Sequence, residues 1–354
     1  MTENQTKKTM NKRKRWFIYL FVILLILVQQ IPLPYYYSQP GEASSLKEMI
    51  TVEEGYEEEG EFYLTTIRQR RANIPLYLWA QFSPYRELIP REHYLRENET
   101  DEQYFHRQTL LMKSAQEAAK IVAYEAAKKE YHVDYRGIRV TQVIEGMDAA
   151  NHLQEGDLIQ QVDGKEVKTV EEMNEQLEKK ERGEEVTILL ERNGEMVKER
   201  VMIDVFPEDI DDTGRTGLGI SFPVTERDVT FNPDVTIEAG SIGGPSAGLM
   251  FSLEIYNQLT ATDWTHGLKI AGTGSIDEEG NVGRIGGVEQ KVIAADQAQM
   301  DVFFAPDDEF SPSNYEQAVK TAEAIETDME IVPVTHFNEA LHYLKTYPKK
   351  TGSK

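Results

Sequence analysis

The chain has 354 residues, a length that suits two or three domains, and 40% of them are hydrophobic, enough to build buried cores. With 61 acidic against 38 basic residues its net charge is -23, which argues against a general affinity of the whole chain for nucleic acid or anionic lipid; the basic exception is local, at the N-terminus. There is no cysteine, so disulfides and thiolate metal sites are excluded, and neither a metal nor a cofactor is expected.

Residues 1–15 form a basic tail carrying Lys7, Lys8, Lys12, Arg13, Lys14 and Arg15. An unbroken apolar run, Trp16 to Val28, follows, and apolar character resumes at Ile31-Pro-Leu-Pro-Tyr-Tyr-Tyr37. A cleaved signal peptide is the plain reading of such a run. The resumed apolar stretch, aromatic residues at both ends and the lack of an Ala-x-Ala site predict instead a retained transmembrane anchor over 16–37. The basic flank then stays cytoplasmic, which puts residues 38–354 outside the cell at a single-pass membrane protein. Residues 38–59, rich in glutamate from Glu53 onward, read as a solvated acidic linker.

Phe62–Ile67 has the β-branched and aromatic content of a strand, whereas 68–109 mixes charges, prolines and aromatics without a period. Leu110–Tyr131 predicts a helix whose alanine stripe at 115, 118, 119, 123 and 126 suits close packing. Residues 132–206 read as a separate, mostly β module. Its strand-like runs are Gly137–Val143, Asp157–Val162, Glu185–Glu191 and Met196–Ile203, with turn pairs Asp163-Gly164 and Asn193-Gly194 and a polar helix over 170–180. Residues 207–346 alternate strands (217–222, 234–239, 269–273, 302–306, 331–334) with helices (246–259, 288–300, 314–326, 338–344). That order argues for a layered α/β or α+β body. A short tail, 347–354, closes the chain.

The stretch Gly240-Ser-Ile-Gly-Gly-Pro-Ser-Ala-Gly248 leads from a strand into a helix and places Ser246 in its first turn, beside unpaired backbone N–H groups. A tight connection before a core helix is the bland explanation. A phosphate loop is excluded because no lysine stands where Gly-x-x-x-x-Gly-Lys-Ser/Thr requires one, so ATP binding has no support. Gly244-Pro-Ser-Ala-Gly248 also satisfies the Gly-x-Ser-x-Gly elbow, which would need a later acid and histidine such as Asp301 with His336 or His342; His266 is a further histidine downstream. Pro245 suits a helix start better than a strained elbow. A third reading pairs Ser246 with a lysine whose amine is kept neutral by burial. Lys291 is the better candidate than Lys269, since it shares a helix face with Ala294, Ala295 and Ala298. Pattern alone leaves a surface lysine equally open.

Gly-Gly-Pro-Ser-Ala-Gly248, Ala271-Gly-Thr-Gly-Ser-Ile276 and Ile285-Gly-Gly-Val-Glu-Gln-Lys291-Val-Ile-Ala-Ala295, in this order, resemble the proteolytic domain of Lon-type serine peptidases. The resemblance implies a Ser-Lys dyad of Ser246 and Lys291, with Thr273 supporting the amine. The chemistry then needs backbone donors for the oxyanion around Gly243 and Gly244. Met112–Ala119 and Phe62–Ile67 look like the early helix and strand of the same domain. Glu155-Gly-Asp-Leu-Ile159 and Val162-Asp-Gly164, followed by the closing strand pair, resemble a PDZ domain of the bacterial type, whose peptide-binding loop would lie before Gly137 and Ile138.

Together these imply an α+β fold: a Lon-type proteolytic domain, 60–131 plus 207–346, with a PDZ domain at 132–206 inserted in it and one transmembrane helix before it. The arrangement is similar to membrane-anchored PDZ-containing Lon-like proteases of Gram-positive bacteria. It implies peptide or protein substrates and no ATP, and it is compatible with a homo-oligomer, since related ATP-driven enzymes form rings. A catalytically silent PDZ scaffold is the alternative from another class.

Overall fold

The computed structural model of the chain describes residues 13, 16, 19, 20, 23, 27–83, 85–95, 100–207, 210 and 213–347. Nearly all of the basic tail, most of 16–26 and the tail beyond 347 therefore lie outside the described residues. The chain enters a long strand, β1 (Pro32–Ser45), passes β2 (Ile50–Val52) and returns antiparallel in β3 (Glu61–Asn73), with Tyr36 opposite Arg71 and Ser44 opposite Leu64. A short helix, α1 (Ile74–Ala80), begins at Asn73, whose side chain accepts from the Leu76 N–H. The edge strand β4 (Glu87–Pro90) and the long helix α2 (Asp101–Ala127) follow. Thr100 and Gln103 form a capping box at the start of α2.

The inserted module is built from β5 (Glu130–Arg139), β6 (Leu158–Val162), β7 (Lys165–Glu166), α3 (Val170–Leu177), β8 (Glu185–Arg192), β9 (Glu195–Met202), β10 (Asp204–Val205), β11 (Thr216–Gly217) and β12 (Val224–Asn232). Its sheet runs β12-β5-β6-β8-β9, with β7 on β6. Both turn pairs form two-residue hairpins: Asp163 and Gly164 have φ of 50° and 77°, Asn193 and Gly194 53° and 82°. Positive φ at both central residues matches the right-handed twist of the flanking strands, which is why Asp-Gly and Asn-Gly stand there.

The chain then runs through β13 (Val235–Ile237), α4 (Gly248–Leu259), β14 (Lys269–Gly272), β15 (Ser275–Ile276), β16 (Val282–Gly283), α5 (Val288–Gln297), β17 (Val302–Pro306), α6 (Asn314–Ala324), β18 (Glu330–Val334) and α7 (Phe337–Thr346). The main sheet is ordered β18-β17-β14-β3-β1-β4, with β18, β17, β14 and β3 mutually parallel. The period-2 alternation of strand side chains assigns its two faces. Phe62, Leu64, Ile270 and Phe304 join a core with α2, α4 and α7. Tyr63, Ala271 and Phe303 face a second core with α5 and α6. The body is therefore three layers, and α4 lies so deep in it that every one of its residues is buried.

Several expectations change. The proposed anchor does not extend to 37: Tyr36 and Tyr37 are 2% exposed on β1, inside the sheet. Among the described residues no helix is long and apolar enough to cross a membrane. The acidic linker is partly ordered structure, since Ser38–Ser45 completes β1 and β2 pairs with β13. The module also runs past 206, because Leu218 and Ile220 pack in its own core and β12 pairs with β5 from Asn232–Glu130 to Val224–Arg139. The strand expected over 217–222 is reduced to β11 and a single bridge, Ile220 to Val143.

The ribbon β5–β12 carries the module, and Arg227 pins it to the body. This arginine is 6% exposed; its Nε lies 3.4 Å from a Glu117 carboxylate oxygen on α2, and its guanidinium contacts Glu278, which also accepts from the Tyr135 hydroxyl at 2.9 Å. Burial pushes the Arg227 pKa down and the Glu117 pKa up, each against the pull of the other.

Candidate active site

Ser246 lies in the turn before α4 rather than in the helix, whose N-cap is Ala247. Three tethers hold that turn. Gly244, at φ +87° in the region that favours glycine, gives its N–H to the Gln108 carbonyl of α2 at 2.9 Å. The Ser246 carbonyl accepts from the Gly274 N–H at 2.9 Å and from the Thr273 hydroxyl at 3.0 Å, and the Leu249 N–H reaches the Gly274 carbonyl at 3.1 Å. The serine backbone is thus stitched to the end of β14, while its side chain stays half-buried at the rim.

Lys291 comes from the first full turn of α5. Gly287 caps that helix at φ +69°, and a Cβ there would approach Ile67 Cγ2 within 3.0 Å, so glycine lets α5 start close against β3. The close start drives Lys291 inward to 3% exposure. Its Nζ lies 2.7 Å from Ser246 Oγ and donates to Thr273 Oγ1 at 2.8 Å. Burial alone lowers its pKa to about 7, so the amine is substantially neutral at physiological pH. Thr273 is fully buried, and its one hydroxyl proton goes to the Ser246 carbonyl. Towards Lys291 it can only accept. A neutral amine that donates to Thr273 keeps its lone pair for the Ser246 proton.

The structure thus brings Ser246, Lys291 and Thr273 together from three separate segments. The expected oxyanion donors need revision: Gly244 spends its N–H on Gln108, and Gly243 is exposed beside the Gln108 side chain. The amides of Ser246 and Ala247 have no acceptor among the described residues and lie at the positive end of α4. The histidines of the elbow reading are engaged elsewhere. His266 bonds the Leu344 carbonyl at 2.7 Å, His336 caps α7 and contacts the Glu279 carbonyl at 2.9 Å, and His342 is exposed on α7.

Residues 113–203 match the PDZ domain family, and residues 227–346 match the Lon protease C-terminal proteolytic domain. The chain joins a PDZ domain to a Lon-type proteolytic domain. The Lon protease of Metamycoplasma arthritidis is 33% identical over 101 residues, covering 28% of this chain and 11% of that protein. The Lon protease of Campylobacter jejuni is 35% identical over 101 residues, covering 28% of this chain and 12% of that protein. The matched part therefore spans only about a tenth of these curated relatives. Among solved structures, the PDZ domain of the SdrC-like protein from Listeria monocytogenes is 29% identical, covers 25% of this chain and 90% of that one, and has a TM-score of 0.24. Its counterpart from Listeria innocua is 29% identical over 24% of this chain and 91% of that one, with a TM-score of 0.22. The Lon-type domain supports a serine-type peptidase, and the PDZ domain supports peptide or protein binding.

Within the PDZ domain, Gly137 and Ile138 offer no edge for a peptide. Ile138 pairs with Ile159 on one side and Thr225 on the other, and its side chain is fully buried. A Cβ at Gly137 would meet the Ile159 carbonyl. The string Gly217-Leu218-Gly219-Ile220, read from sequence as a strand of the catalytic body, lies instead at this domain's margin. Ser221 N–H bonds Gln142 O at 3.0 Å and Ile144 N–H bonds Gly219 O at 2.9 Å, so the N–H and C=O of Ile220 point away from that partner strand. The Gly-Leu-Gly-aliphatic string was the available signal. Gln108 had none, because it falls in the stretch without a period.

Proposed function

We propose that this chain is an ATP-independent serine endopeptidase, anchored in the membrane by its N-terminal segment with residues beyond it outside the cell. In this reading Ser246 is the nucleophile and Lys291 its general base. The observation that carries the reading is the 2.7 Å contact from Lys291 Nζ to Ser246 Oγ, made by an amine buried to 3% exposure. Neutral Lys291 takes the Ser246 proton as Oγ attacks the scissile carbonyl. The Ser246 and Ala247 amides stabilise the oxyanion at the α4 N-terminus. The ammonium then protonates the leaving amine, and water hydrolyses the acyl-enzyme. Thr273 positions Lys291 throughout. Hydrolysis by these groups needs no nucleotide, and flexible or extended substrates reach the site without unfolding. The PDZ domain recruits them by taking an extended segment beside Gly219–Ser221.

Alanine variants assayed on a peptide library test the roles. Ser246→Ala and Lys291→Ala are each expected to lower kcat/KM by about 10²–10⁴-fold or more, while His336→Ala leaves it unchanged. Activity that survives Lys291→Ala would exclude the dyad.

A further inference from the structure

Helix α1 turns Ala80 and Leu76 inward onto Tyr37, Ala72 and Leu88. Leu78 and Trp79 on α1 and Phe82 in the turn after it stand in solvent at 56%, 58% and 87% exposure. Adjoining in sequence and all exposed, they form a cluster of large apolar groups of the kind that marks an interaction surface. Two independent observations say what covers it. The first is position: the α1 cap residue Asn73 donates from Nδ2 to the Gln29 carbonyl at 3.0 Å, so α1 stands where the apolar N-terminal segment ends. In that segment Trp16, Ile23 and Leu27 are likewise exposed. The second is charge. From Phe62 to Arg86 the sequence holds four arginines and no acidic residue, in a chain of net charge -23. Arg70 is exposed on the face of β3 that carries Ala72, and the Arg86 guanidinium lies 5.0 Å over the Trp79 ring, whereas Arg71 turns to the other face and pairs with Asp101 at 3.8 Å, and Arg68 pairs with Glu42.

We propose that α1 and the turn after it dock on an anionic lipid surface. Leu78, Trp79 and Phe82 sit at the headgroup boundary, and Arg70 and Arg86 face the lipid phosphates. Amphipathic aromatic rings and arginines are the residues that this boundary selects. A second copy of the chain is the poorer occupant, because a twofold contact through this face would set the same arginines against each other. The docked element is built onto the catalytic body: Glu87 on β4 accepts from Gln290, the residue before Lys291, at 3.1 Å. Docking therefore fixes the height and tilt of the Ser246 cleft over the membrane, which selects membrane-proximal substrate segments. The proposal rests on the reading that the N-terminal segment enters a bilayer.

The chain lacks cysteine, so Phe82→Cys supplies a single thiol for an environment-sensitive fluorophore such as NBD. The full chain is reconstituted with phosphatidylglycerol-containing vesicles or with phosphatidylcholine alone. A label at position 82 is expected to give blue-shifted, several-fold brighter emission with the anionic vesicles and to be quenched by headgroup-region nitroxide lipid. The same label placed through Met196→Cys, 52% exposed on β9, is expected not to respond. Arg70→Glu with Arg86→Glu should remove the preference for anionic lipid. If the chain floats with vesicles but the label at 82 is neither shifted nor quenched, docking is overturned and anchoring stands. If the chain does not float at all, the anchoring reading fails and docking with it. A shift that grows with protein density and resists lipid quenching identifies a second copy and overturns the proposal.

Discussion

An amine with lysine's ordinary proton affinity would be charged at neutral pH and could take nothing from Ser246. Lys291 differs because it is 3% exposed, so its ammonium would be stripped of water, and burial brings its pKa to about 7. The base is the deprotonated form, so kcat/KM should rise with pH through about 7 rather than above 10; an acid limb at the ordinary lysine value would show that another group is the base. Thr273→Val removes the acceptor that favours the ammonium and orients the amine. The acid limb is then expected to move to lower pH and kcat to fall by up to about 10²-fold, with Thr273→Ser restoring both. An unmoved pH profile in Thr273→Val would reduce Thr273 to a packing residue. Ser246, Lys291 and Thr273 were all legible in the sequence through their spacing and resemblance. The Gln108 tether was not, because it depends on α2 crossing the Ser246 turn.

Helix α4 follows the serine and carries a carboxyl in its middle. Glu254 is fully buried; one oxygen accepts from Gln258 at 2.5 Å, and the other has no partner among the described residues. Burial, with the Glu58 and Glu61 carboxyls adding to it, pushes its pKa up to about 8 against the Gln258 hydrogen bond and the Lys47 charge. Because the folded pKa is raised above the unfolded value, the folded state holds a proton that the unfolded state has already released. Its contribution to stability is therefore fully present below about pH 4.5 and is lost as pH rises from there towards 8, by at most about 1.4 kcal/mol per pH unit. Urea unfolding at pH 5 and pH 8 should show that fall, and Glu254→Gln should flatten it and stabilise the protein at pH 8. A pH-independent midpoint in the unsubstituted chain would mean that the carboxyl ionises freely. The helices from α2 onward were legible by their periods, though α2 begins at Asp101 rather than Leu110; α1 was not, because it falls in the stretch without a period. The β1 tyrosines were misread as interface anchors because strands and membrane boundaries favour the same amphipathic rings.

The whole molecule is a three-layer catalytic body with a β module held on one ribbon, so the module can be removed only at the ribbon. Arg139 and Val224 are paired, and an Asn-Gly link between them closes a two-residue hairpin. Replacing 140–223 in that way is expected to leave cleavage of a short peptide near the level of the intact chain while slowing cleavage of a flexible protein. Deleting only 135–205 should instead unfold the protein, since it strands Leu218 and Ile220 without their core. Loss of short-peptide cleavage in the hairpin variant would mean that the module completes the active site.

By itself the sequence determined the local features of this protein: the glycine-rich turn before the serine, the Asp-Gly and Asn-Gly hairpins, the alternation of strands and helices, and the absence of thiol chemistry. These depend on backbone conformations and periods that neighbouring residues set among themselves. Only the tertiary structure decided what depends on distant segments meeting. Lys291 is buried beside Ser246 because the sheet and α5 close over it, the Gly137 edge is closed because β12 returns to cover it, and the first strand begins at Pro32 because β3 is there to pair with it.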